Sequence, residues 1–446
     1  MSDFPHWPAR PTGDVFYVKG RIGWRNLRRS DFCEDGPHLI TGMHIDNSGH
    51  VDWSSCFHIP RRKFEESPEI QVKVGDLVIT KDGTIGKVAR IDWLPGDTSL
   101  NSHLFLVRPI HPELCSARFA FHIFTSTAFR NFIESQKSGS TLAGLGEAKF
   151  VKFEFPLPVI EEQEIVSSLL DTLDIAIRET EALIDKLKAV KQGLLHDLLT
   201  RGIAANGKLR PPQSEAPQLY KESPLGWIPR EWEVLPLSIC ADIASGVTLG
   251  RTLSSPVAIE LPYLRVANVQ DGYLDLRETK AVSILPSELS RFALKVGDVL
   301  MNEGGDFDKL GRGAVWEGQI EPCLHQNHVF RVRCDDSKLL PAFLAAYSSS
   351  VRGKSYFVQA SKQTTNLASI NSTQLKAFGI TCPSVAEQFL IAQRLSTFDK
   401  KMAVEQETLK KLRQQKSGLV DDLLTGRVRV TPLLESVQQP AAQTGA

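Results

Sequence analysis

Two stretches of the chain repeat the same pattern of hydrophobic and polar positions. Residues 162–200 and 387–425 align at a constant offset of 225 residues, without a gap. Steps of four and three residues along either stretch meet apolar side chains at eight of ten positions. An apolar repeat of about 3.5 residues held over this length is typical of a coiled-coil seam. The pattern therefore predicts two long helices that resemble each other closely.

The two predicted seams are interrupted at matching places. The apolar seam positions are Val166, Leu170, Leu173, Ile177, Ile184, Leu187, Leu194 and Leu198, and then Ile391, Leu395, Phe398, Met402, Leu409, Leu412, Leu419 and Leu423. The polar interruptions are Thr180 and Lys191 in the first stretch and Glu405 and Lys416 in the second. The shared interruptions indicate that each helix is the partner of the other. The alternative is two unrelated amphipathic helices in separate cores.

The segments before the helices also repeat, as short strands broken by Gly, Pro and Asp. The matching segments are 40–45 with 264–269, 74–78 with 296–300, 102–108 with 327–333 and 153–158 with 378–383. A short helix is expected over Phe119–Ile133. The chain is thus predicted to be one unit of about 220 residues written twice.

Composition narrows the classes of protein that fit this organisation. Lys and Arg number 52, as do Asp and Glu, so the net charge of zero argues against binding nucleic acid by bulk charge and leaves local basic loops open. Seven scattered cysteines without a C-x-x-C spacing fit free thiols in a reducing cytoplasm. No apolar run is long enough to predict a membrane span, so a cytoplasmic chain without a membrane role is expected.

The two copies share a framework but differ in the loops after their Gly-Asp strands, residues 81–87 and 302–313. A shared scaffold under divergent loops suits two sites that read different targets. Glycines allow close backbone approach, and cations meet phosphates or guanine edges. The candidate DNA-binding residues are Lys81, Gly83, Thr84, Lys87, Lys137, Asn302, Lys309, Arg312, Lys362 and Gln363. The alternative for each loop is a solvated hairpin.

No catalytic or metal-binding motif is recognisable in the sequence. Residues 83–88 contain Gly-Lys but lack the spacing and the Ser or Thr of a P-loop. N-P-P-F/Y, H-E-x-x-H, G-x-S-x-G and strand–GxGxxG–helix patterns are missing as well. His103 and His328 share a repeat position, for which a structural role is the first interpretation and base contact the second. The sequence predicts no active site on this chain.

Two further segments carry a resemblance to a known family. Residues 423–430 read Leu-Leu-Thr-Gly-Arg-Val-Arg-Val, and residues 222–232 read Glu-Ser-Pro-Leu-Gly-Trp-Ile-Pro-Arg-Glu-Trp. With the order domain, helix, domain, helix, the chain resembles a type I restriction–modification specificity (S) subunit over nearly its whole length. One departure is that the first helix continues as Arg201-Gly202-Ile203, without the Gly-Arg-Val-Arg close.

The resemblance implies an α+β chain in which two pseudo-twofold-related target recognition domains are separated by an antiparallel two-helix coiled coil. The expected parts are an N-terminal recognition domain (1–160), a first spacer helix (161–205), a linker (206–225), a C-terminal recognition domain (226–383), a second spacer helix (384–430) and a flexible tail (431–446). Each recognition domain would read half of a bipartite target in double-stranded DNA, and the helices would set the spacing.

The resemblance also implies partners. Two modification subunits, which methylate adenine at N6, and restriction subunits would dock on this chain. S-adenosylmethionine, ATP and Mg²⁺ would then belong to those partners, with no cofactor and no catalysis on this chain. Two other hypotheses remain: a coiled-coil scaffold without DNA specificity, and a single-chain restriction enzyme or methyltransferase.

Overall fold

The computed structural model describes residues 7–21, 29–136, 144–250, 257–305, 310–363 and 368–430. The chain forms two compact units. One comprises Met1–Ala182 with Gln406–Ala446, and the other comprises Leu183–Glu405. We call these unit 1 and unit 2. Each unit contains one of the repeated domains, the first part of one long helix and the last part of the other.

Unit 1 is built on a four-stranded antiparallel sheet and a smaller mixed sheet. The four strands are, in order, Phe16–Gly20, Leu104–Pro109, Leu77–Thr80 and Val88–Arg90. The three-stranded sheet has the order Phe57–His58, Cys33–Ile40, Thr98–Leu100, and Ala9–Pro11 pairs with Glu154–Pro156. The shorter helices are Thr12–Val15, Arg61–Glu65, Ala117–Thr125, Thr127–Gln136 and Glu147–Phe150.

Unit 2 repeats this plan with its own loops. Its four-stranded sheet has the order Ala241–Ser245, Val329–Cys334, Val299–Asn302, Gly313–Val315, and its three-stranded sheet the order Lys280–Ile284, Ile259–Leu264, Leu324–His325. The remaining strands are Tyr220–Ser223, Gly226–Pro229, Glu233–Pro236, Gly304–Gly305, Lys362–Gln363, Ala368–Ser369 and Gly379–Cys382. The shorter helices are Leu237–Cys240, Leu289–Phe292, Pro341–Ser349, Val351–Ala360 and Ser372–Lys376.

The helix expected over Phe119–Ile133 is two helices, because Ser126 between them is extended with ψ of 164°. The Ser126 hydroxyl accepts a hydrogen bond from the backbone N–H of Phe129, which caps the second helix. Ser350 has ψ of 162° and caps its helix through the N–H of Gly353 in the same way. Both breaks follow from serine capping, which interrupts an otherwise continuous apolar pattern.

The first long helix runs over Ile160–Thr200 and the second over Val385–Leu424. Both helices match the apolar pattern of residues 162–200 and 387–425 to within two residues at each end. Gly202 and Gly426 follow the helices with φ of +65° and +70°, a conformation that terminates helices and favours glycine. Residues 431–446, expected to form a flexible tail, lie outside the described residues. No helix of the described segments is long and apolar enough to cross a membrane.

The helix ends are part of the domain cores. In unit 1, Val166 and Leu170 share one cluster of buried residues with Leu423 and Leu424. In unit 2, Leu198 of the first helix shares a cluster with residues 391 and 395 of the second. In each unit the beginning of one helix therefore packs against the end of the other, so the helices pair antiparallel. Each fully buried leucine contributes roughly 1.5–3 kcal/mol.

Burial along the predicted seam follows the pattern closely. The buried seam residues are Val166, Leu170, Ile184, Leu187, Leu198, Ile391, Leu395 and Leu423. Leu173, Ile177, Leu194, Phe398, Met402, Leu409 and Leu412 are half-buried. Leu419 differs, since it is 38% exposed while its neighbour Val420 packs against the core. Near its end the helix contacts a domain as well as its partner helix, which moves the buried face by one residue.

Candidate nucleic-acid interface

The strand that leads into each candidate loop is anchored by the same buried ion pair. Arg108 donates to both carboxylate oxygens of Asp76 at 2.6 and 2.7 Å, and the backbone N–H of Lys73 donates to that carboxylate at 2.6 Å. Arg333, Asp298 and Lys295 repeat the arrangement in unit 2 at 2.7, 2.8 and 2.7 Å. The hydrogen bonds that Arg108 donates to Asp76 raise the pKa of Arg108, and those that Arg333 donates to Asp298 raise the pKa of Arg333. The Gly-Asp repeat is thus a structural anchor.

The unit 1 loop presents a short tip to solvent. Gly83 and Thr84 are exposed, and Gly83 has φ of +70° with no described atom within 4 Å of where a Cβ would lie. Lys81 Nζ lies 3.8 Å from Asp82 and 5.5 Å from the centre of the Phe105 ring. Lys87 is half-buried, and its Nζ donates to the carbonyl of Ile45 at 3.1 Å. Lys87 therefore ties the loop to a neighbouring turn.

In unit 2, Asn302 ends its strand with its side chain inside the domain. Its side chain is buried, at 1% exposure, and its amide donates to the carbonyls of Val269 and Val266 at 3.1 and 3.4 Å. The side chain therefore holds a turn, because a polar residue at a strand end can be internal when nearby carbonyls need a donor.

The other candidate DNA-binding residues lie on segments apart from the unit 1 loop or outside the described ranges. Arg312 is half-buried with Nη1 3.4 Å from Gln270 Oε1. Lys362 is exposed on the strand Lys362–Gln363, which pairs with Ala368–Ser369. Lys137 and Lys309 lie outside the described residues. Lys81, Gly83, Thr84 and Lys87 thus lie on one loop of unit 1, whereas Arg312 and Lys362 lie on separate segments of unit 2.

A histidine beside each loop is held by a carboxylate that the sequence did not identify. His103 Nδ1 lies 3.2 Å from Asp82 Oδ2 in unit 1, and His328 Nδ1 lies 2.6 Å from Glu303 Oε2 in unit 2. Both imidazoles are about half exposed. The shared position of the two histidines was visible in the sequence. Their carboxylate partners were not, because the two loops differ in length.

A second repeated arrangement, which we call the clasp, joins each helix start to the end of the other helix and to a tryptophan. In unit 1, Arg429 donates to both oxygens of Glu162 at 3.0 Å, and Trp7 Nε1 donates to the same carboxylate at 3.0 Å. In unit 2, Arg210 and Trp232 bind Glu387 in the same way.

The unit 2 clasp accounts for the departure seen after the first helix. The segment 203–209 forms a small hairpin closed by an antiparallel bridge between Ile203 and Leu209, and it returns the chain to the helix end at Arg210. Arg210 thus takes the place that Arg429 holds in unit 1. The sequence does carry a signal for the clasp. Trp7 and Glu162 recur as Trp232 and Glu387 at the 225-residue offset.

The two lysines at polar seam positions form ion pairs between the helices. Lys416 pairs with Asp174 in unit 1, and Lys191 pairs with Asp399 in unit 2. The two pairs are equivalent at the 225-residue offset. Arg413 adds a contact of 2.6 Å to Glu181 in unit 1. The lysine pairs explain the shared interruption at Lys191 and Lys416.

A polar cleft of about 400 Å³ lies beside the helix pair in unit 1 and is lined by Asp171 and Asp174, next to the buried His122. The ligand atoms of these three residues lie within 4.8 Å of one another. Asp171 is contacted by His122 at 2.8 Å, Arg118 at 2.9 Å and Arg90 at 3.3 Å. Burial raises the pKa of Asp171, but His122, Arg118 and Arg90 together outweigh it and lower that pKa. The charges of Asp171 and Asp174 are thus already compensated, by Arg118 and Arg90 at Asp171 and by Lys416 at Asp174.

Comparison with known proteins gives the framework for these features. The family model described as the type I restriction modification DNA specificity domain matches residues 6–189 and 250–414. The specificity subunit of the type I restriction enzyme StySPI from Salmonella potsdam is 22% identical over 466 residues, covering 98% of this chain and 96% of that protein. The EcoKI specificity subunit from Escherichia coli (strain K12) is 24% identical over 403 residues, covering 87% and 81%.

Solved structures support the fold. The S subunit of a type I restriction-modification system from M. genitalium superposes with a TM-score of 0.57 at 14% identity, covering 95% of this chain and 97% of that one. A chain from work on complex assembly and conformational transition of the type I R-M system gives 0.54 at 17% identity, covering 96% and 100%. The predicted α+β fold with two recognition domains and an antiparallel helix pair is confirmed. Because the family model matches both repeats, the chain belongs to the type I restriction–modification DNA specificity family, as a non-catalytic specificity subunit.

Proposed function

We propose that this chain reads a bipartite sequence in double-stranded DNA, one half with each recognition domain. The observation that carries the proposal is the duplication itself: the anchor, the clasp and the seam ion pair occur in both units, whereas the candidate loops differ in sequence and length. A repeated scaffold with divergent loops is the arrangement expected of two readers with different targets. A coiled-coil scaffold alone would not need two divergent loops on a repeated sheet.

The domain boundaries of the sequence analysis belong to the same proposal. Residues 1–160 and 226–383 serve as the recognition domains, residues 161–205 and 384–430 as spacer helices, and residues 206–225 as the linker. The complex works in the cytoplasm, in keeping with cysteines that are all free.

The helices act as the ruler between the half-sites. From Val166 to Leu198 the seam extends on the order of 50 Å, at about 1.5 Å per residue. That length matches about 15 base pairs at ~3.4 Å each.

The ruler is tested by lengthening both helices together. One heptad is inserted after Thr180 and one after Lys410, near the Glu181–Arg413 contact, which keeps both apolar faces in phase. The insertion adds about 10 Å of helix, so the selected gap between half-sites should lengthen by about three base pairs. The half-site sequences should stay the same. Selection of bound duplexes from a random library reads gap and motif separately.

Two controls make this experiment decisive. Inserting two residues at each place rotates the apolar faces and should abolish selection. A folded double-heptad variant with an unchanged gap would assign the spacing to another part of the complex, and a wild-type chain that enriches no motif would refute DNA reading.

Two modification subunits and the restriction subunits dock on this chain, and they carry S-adenosylmethionine, ATP and Mg²⁺. Support comes from large apolar side chains that the long helices leave exposed, which in unit 2 include Phe389 at 58% and Val404 at 63%. Phe389 adjoins Leu390, which is 40% exposed, and adjoining exposed apolar side chains mark interaction surfaces in soluble proteins.

Docking is tested with the double substitution Phe389→Ser and Val404→Ser. Co-purification with the modification subunit should fall, while Val351→Ser, at a residue 73% exposed on a short helix of the domain, should leave it unchanged. Equal retention of the modification subunit by both variants would place docking elsewhere.

A further inference from the structure

A half-exposed histidine stands at the same place beside the candidate loop of each unit. The His103 side chain is 50% exposed and the His328 side chain 57% exposed. Each is at the start of the strand that forms the centre of its four-stranded sheet, next to Leu104 in unit 1 and Val329 in unit 2. The offset between them is 225 residues, the same as between the long helices.

In both units the same two backbone hydrogen bonds link the histidine to a loop residue and that loop residue to a third segment. The N–H of Lys81 donates to the carbonyl of His103 at 2.9 Å, and the carbonyl of Lys81 accepts from Leu145 at 2.8 Å. In unit 2, the N–H of Glu303 donates to the carbonyl of His328 at 3.1 Å, and the carbonyl of Glu303 accepts from the N–H of Ile370 at 2.8 Å. The position of each ring is therefore set by a rigid backbone frame.

Within that frame the carboxylate comes from two different positions. By its backbone bonds Glu303 corresponds to Lys81, yet Glu303 itself supplies the carboxylate in unit 2, whereas in unit 1 the following residue, Asp82, supplies it. The loops differ in length and sequence, but both place a carboxylate against Nδ1 of the histidine. An exposed pair of this kind contributes little to stability, so the fold alone does not require it twice.

The carboxylate fixes which ring atom can face a ligand. When Nδ1–H donates to Asp82 or Glu303, the neutral imidazole carries its acceptor at Nε2. The Asn327 amide nitrogen lies 3.4 Å from Nε2 of His328, a contact in which donor and acceptor depend on the tautomer of the ring. In the DNA major groove, the donors for such an acceptor are the N6 amino group of adenine and the N4 amino group of cytosine.

A phosphate fits this site less well than a base edge does. The carboxylate cancels the charge of a protonated imidazole, so the pair attracts an anion weakly. Beside His103, the tip at Gly83 is open, with no described atom within 4 Å of a Cβ placed there.

We propose that His103 and His328 each accept a hydrogen bond from a base amino group in the half-site read by their own unit, and that Asp82 and Glu303 orient them. This inference rests on the proposed bipartite DNA reading. It identifies one specificity-determining pair in each recognition domain.

The test selects duplexes from a random library with the full-length chain and with four variants, His103→Ala, His328→Ala, Asp82→Asn and Glu303→Gln. Removing one neutral hydrogen bond should relax the preference at a single base pair by about 3- to 10-fold. His103→Ala and Asp82→Asn should affect one half-site only, and His328→Ala and Glu303→Gln the other. The unaffected half-site is the internal control.

His111→Ala is the matched control. His111 Nδ1 lies 3.0 Å from Glu113 Oε1, and its side chain is 58% exposed, but residue 336 at the equivalent place in unit 2 is an aspartate. This variant should leave both half-sites unchanged. Equal melting temperatures of all variants would show that the substituted chains are folded.

Three results would overturn the inference. An unchanged motif for His103→Ala and His328→Ala would remove both residues from base reading. A uniform loss of affinity, with a salt slope lower by about one, would make them phosphate contacts. Enrichment of no motif by the unsubstituted chain would refute the proposed function itself, whereas a selected motif that ignores the histidines refutes only this inference.

Discussion

Arg210 binds Glu387 across 177 residues of sequence, and both side chains are almost fully buried. Nη1 donates to Oε1 at 2.5 Å and Nη2 to Oε2 at 3.2 Å, while the backbone N–H of Ile203 donates to Oε1 at 2.7 Å. Burial alone would lower the pKa of Arg210, but Glu387 outweighs it and raises that pKa. The pair fastens the hairpin after the first helix to the start of the second helix.

Removing the arginine of this clasp should destabilise unit 2. Arg210→Met leaves the Glu387 carboxylate buried without its cation, which costs about 3 to 5 kcal/mol of unfolding free energy. Arg210→Met with Glu387→Gln should recover part of that loss. Urea unfolding followed by circular dichroism measures both. Arg427→Met, at an exposed pair with Asp422, is the control and should change stability by less than about 0.5 kcal/mol. Equal effects at Arg210 and Arg427 would contradict a buried clasp.

Alanine at the two helix-ending glycines should differ in cost. Gly202 and Gly426 both have positive φ, which costs about 1–2 kcal/mol for alanine. A Cβ at Gly202 would lie 2.2 Å from Glu387 Oε1 and 2.4 Å from the Trp232 ring, whereas at Gly426 the nearest atom is 3.0 Å away in Trp7. Gly202→Ala should therefore lower the melting temperature more than Gly426→Ala.

Gly207→Ala separates backbone strain from the clash at Gly202. Gly207 has φ of +75° and no described atom within 4 Å of a Cβ, so it should show the conformational cost alone. If Gly202→Ala proved no worse than Gly207→Ala, close packing in the clasp would not be limiting.

The seam ion pairs should couple the two helices measurably. A double-mutant cycle with Lys416→Asp and Asp174→Lys should give a coupling energy of about 0.5–1 kcal/mol, since both side chains are roughly three-quarters buried. The charge-swapped double variant should be more stable than either single variant. Lys410 with Glu407, an exposed pair on one helix, is the control and should give a smaller coupling. Coupling that is no larger across the seam than on the surface would remove the pair's role in helix pairing.

Unit 2 should lose stability as the pH falls toward 4. Burial lowers the pKa of His325 to about 4, and its Nδ1 donates to the carbonyl of Val329 at 2.7 Å. The unfolded chain takes up this proton near pH 6.5, so stability falls between about pH 6.5 and 4 and levels off below. The full shift corresponds to about 3 kcal/mol.

His325→Asn keeps a donor near the position of Nδ1 but does not titrate. Unfolding free energies of the variant should therefore depend less on pH across this window than those of the unsubstituted chain. Parallel pH dependences for the two proteins would show that His325 does not remain neutral in the folded state.

The sequence by itself determined the long helices, their seam and the duplication. These follow from local periodicity: apolar residues at Val166, Leu170 and their successors mark one face of a helix, whatever that face packs against. The constant offset of 225 residues predicted the duplication, because a repeated pattern predicts a repeated fold. The interruption at Lys191 and Lys416 even indicated that the helices pair.

Tertiary structure decided which side chains meet, because those contacts join residues far apart in the chain. Arg210 replaces Arg429 only because a hairpin returns it to the helix end, and no local pattern shows that. Asn302 looks like a loop residue in sequence but is buried beneath carbonyls that need a donor. His103 and His328 share a place in the repeat, yet their carboxylates come from loops of different length. Such pairs depend on where loops lie in space, which the pattern of apolar positions does not specify.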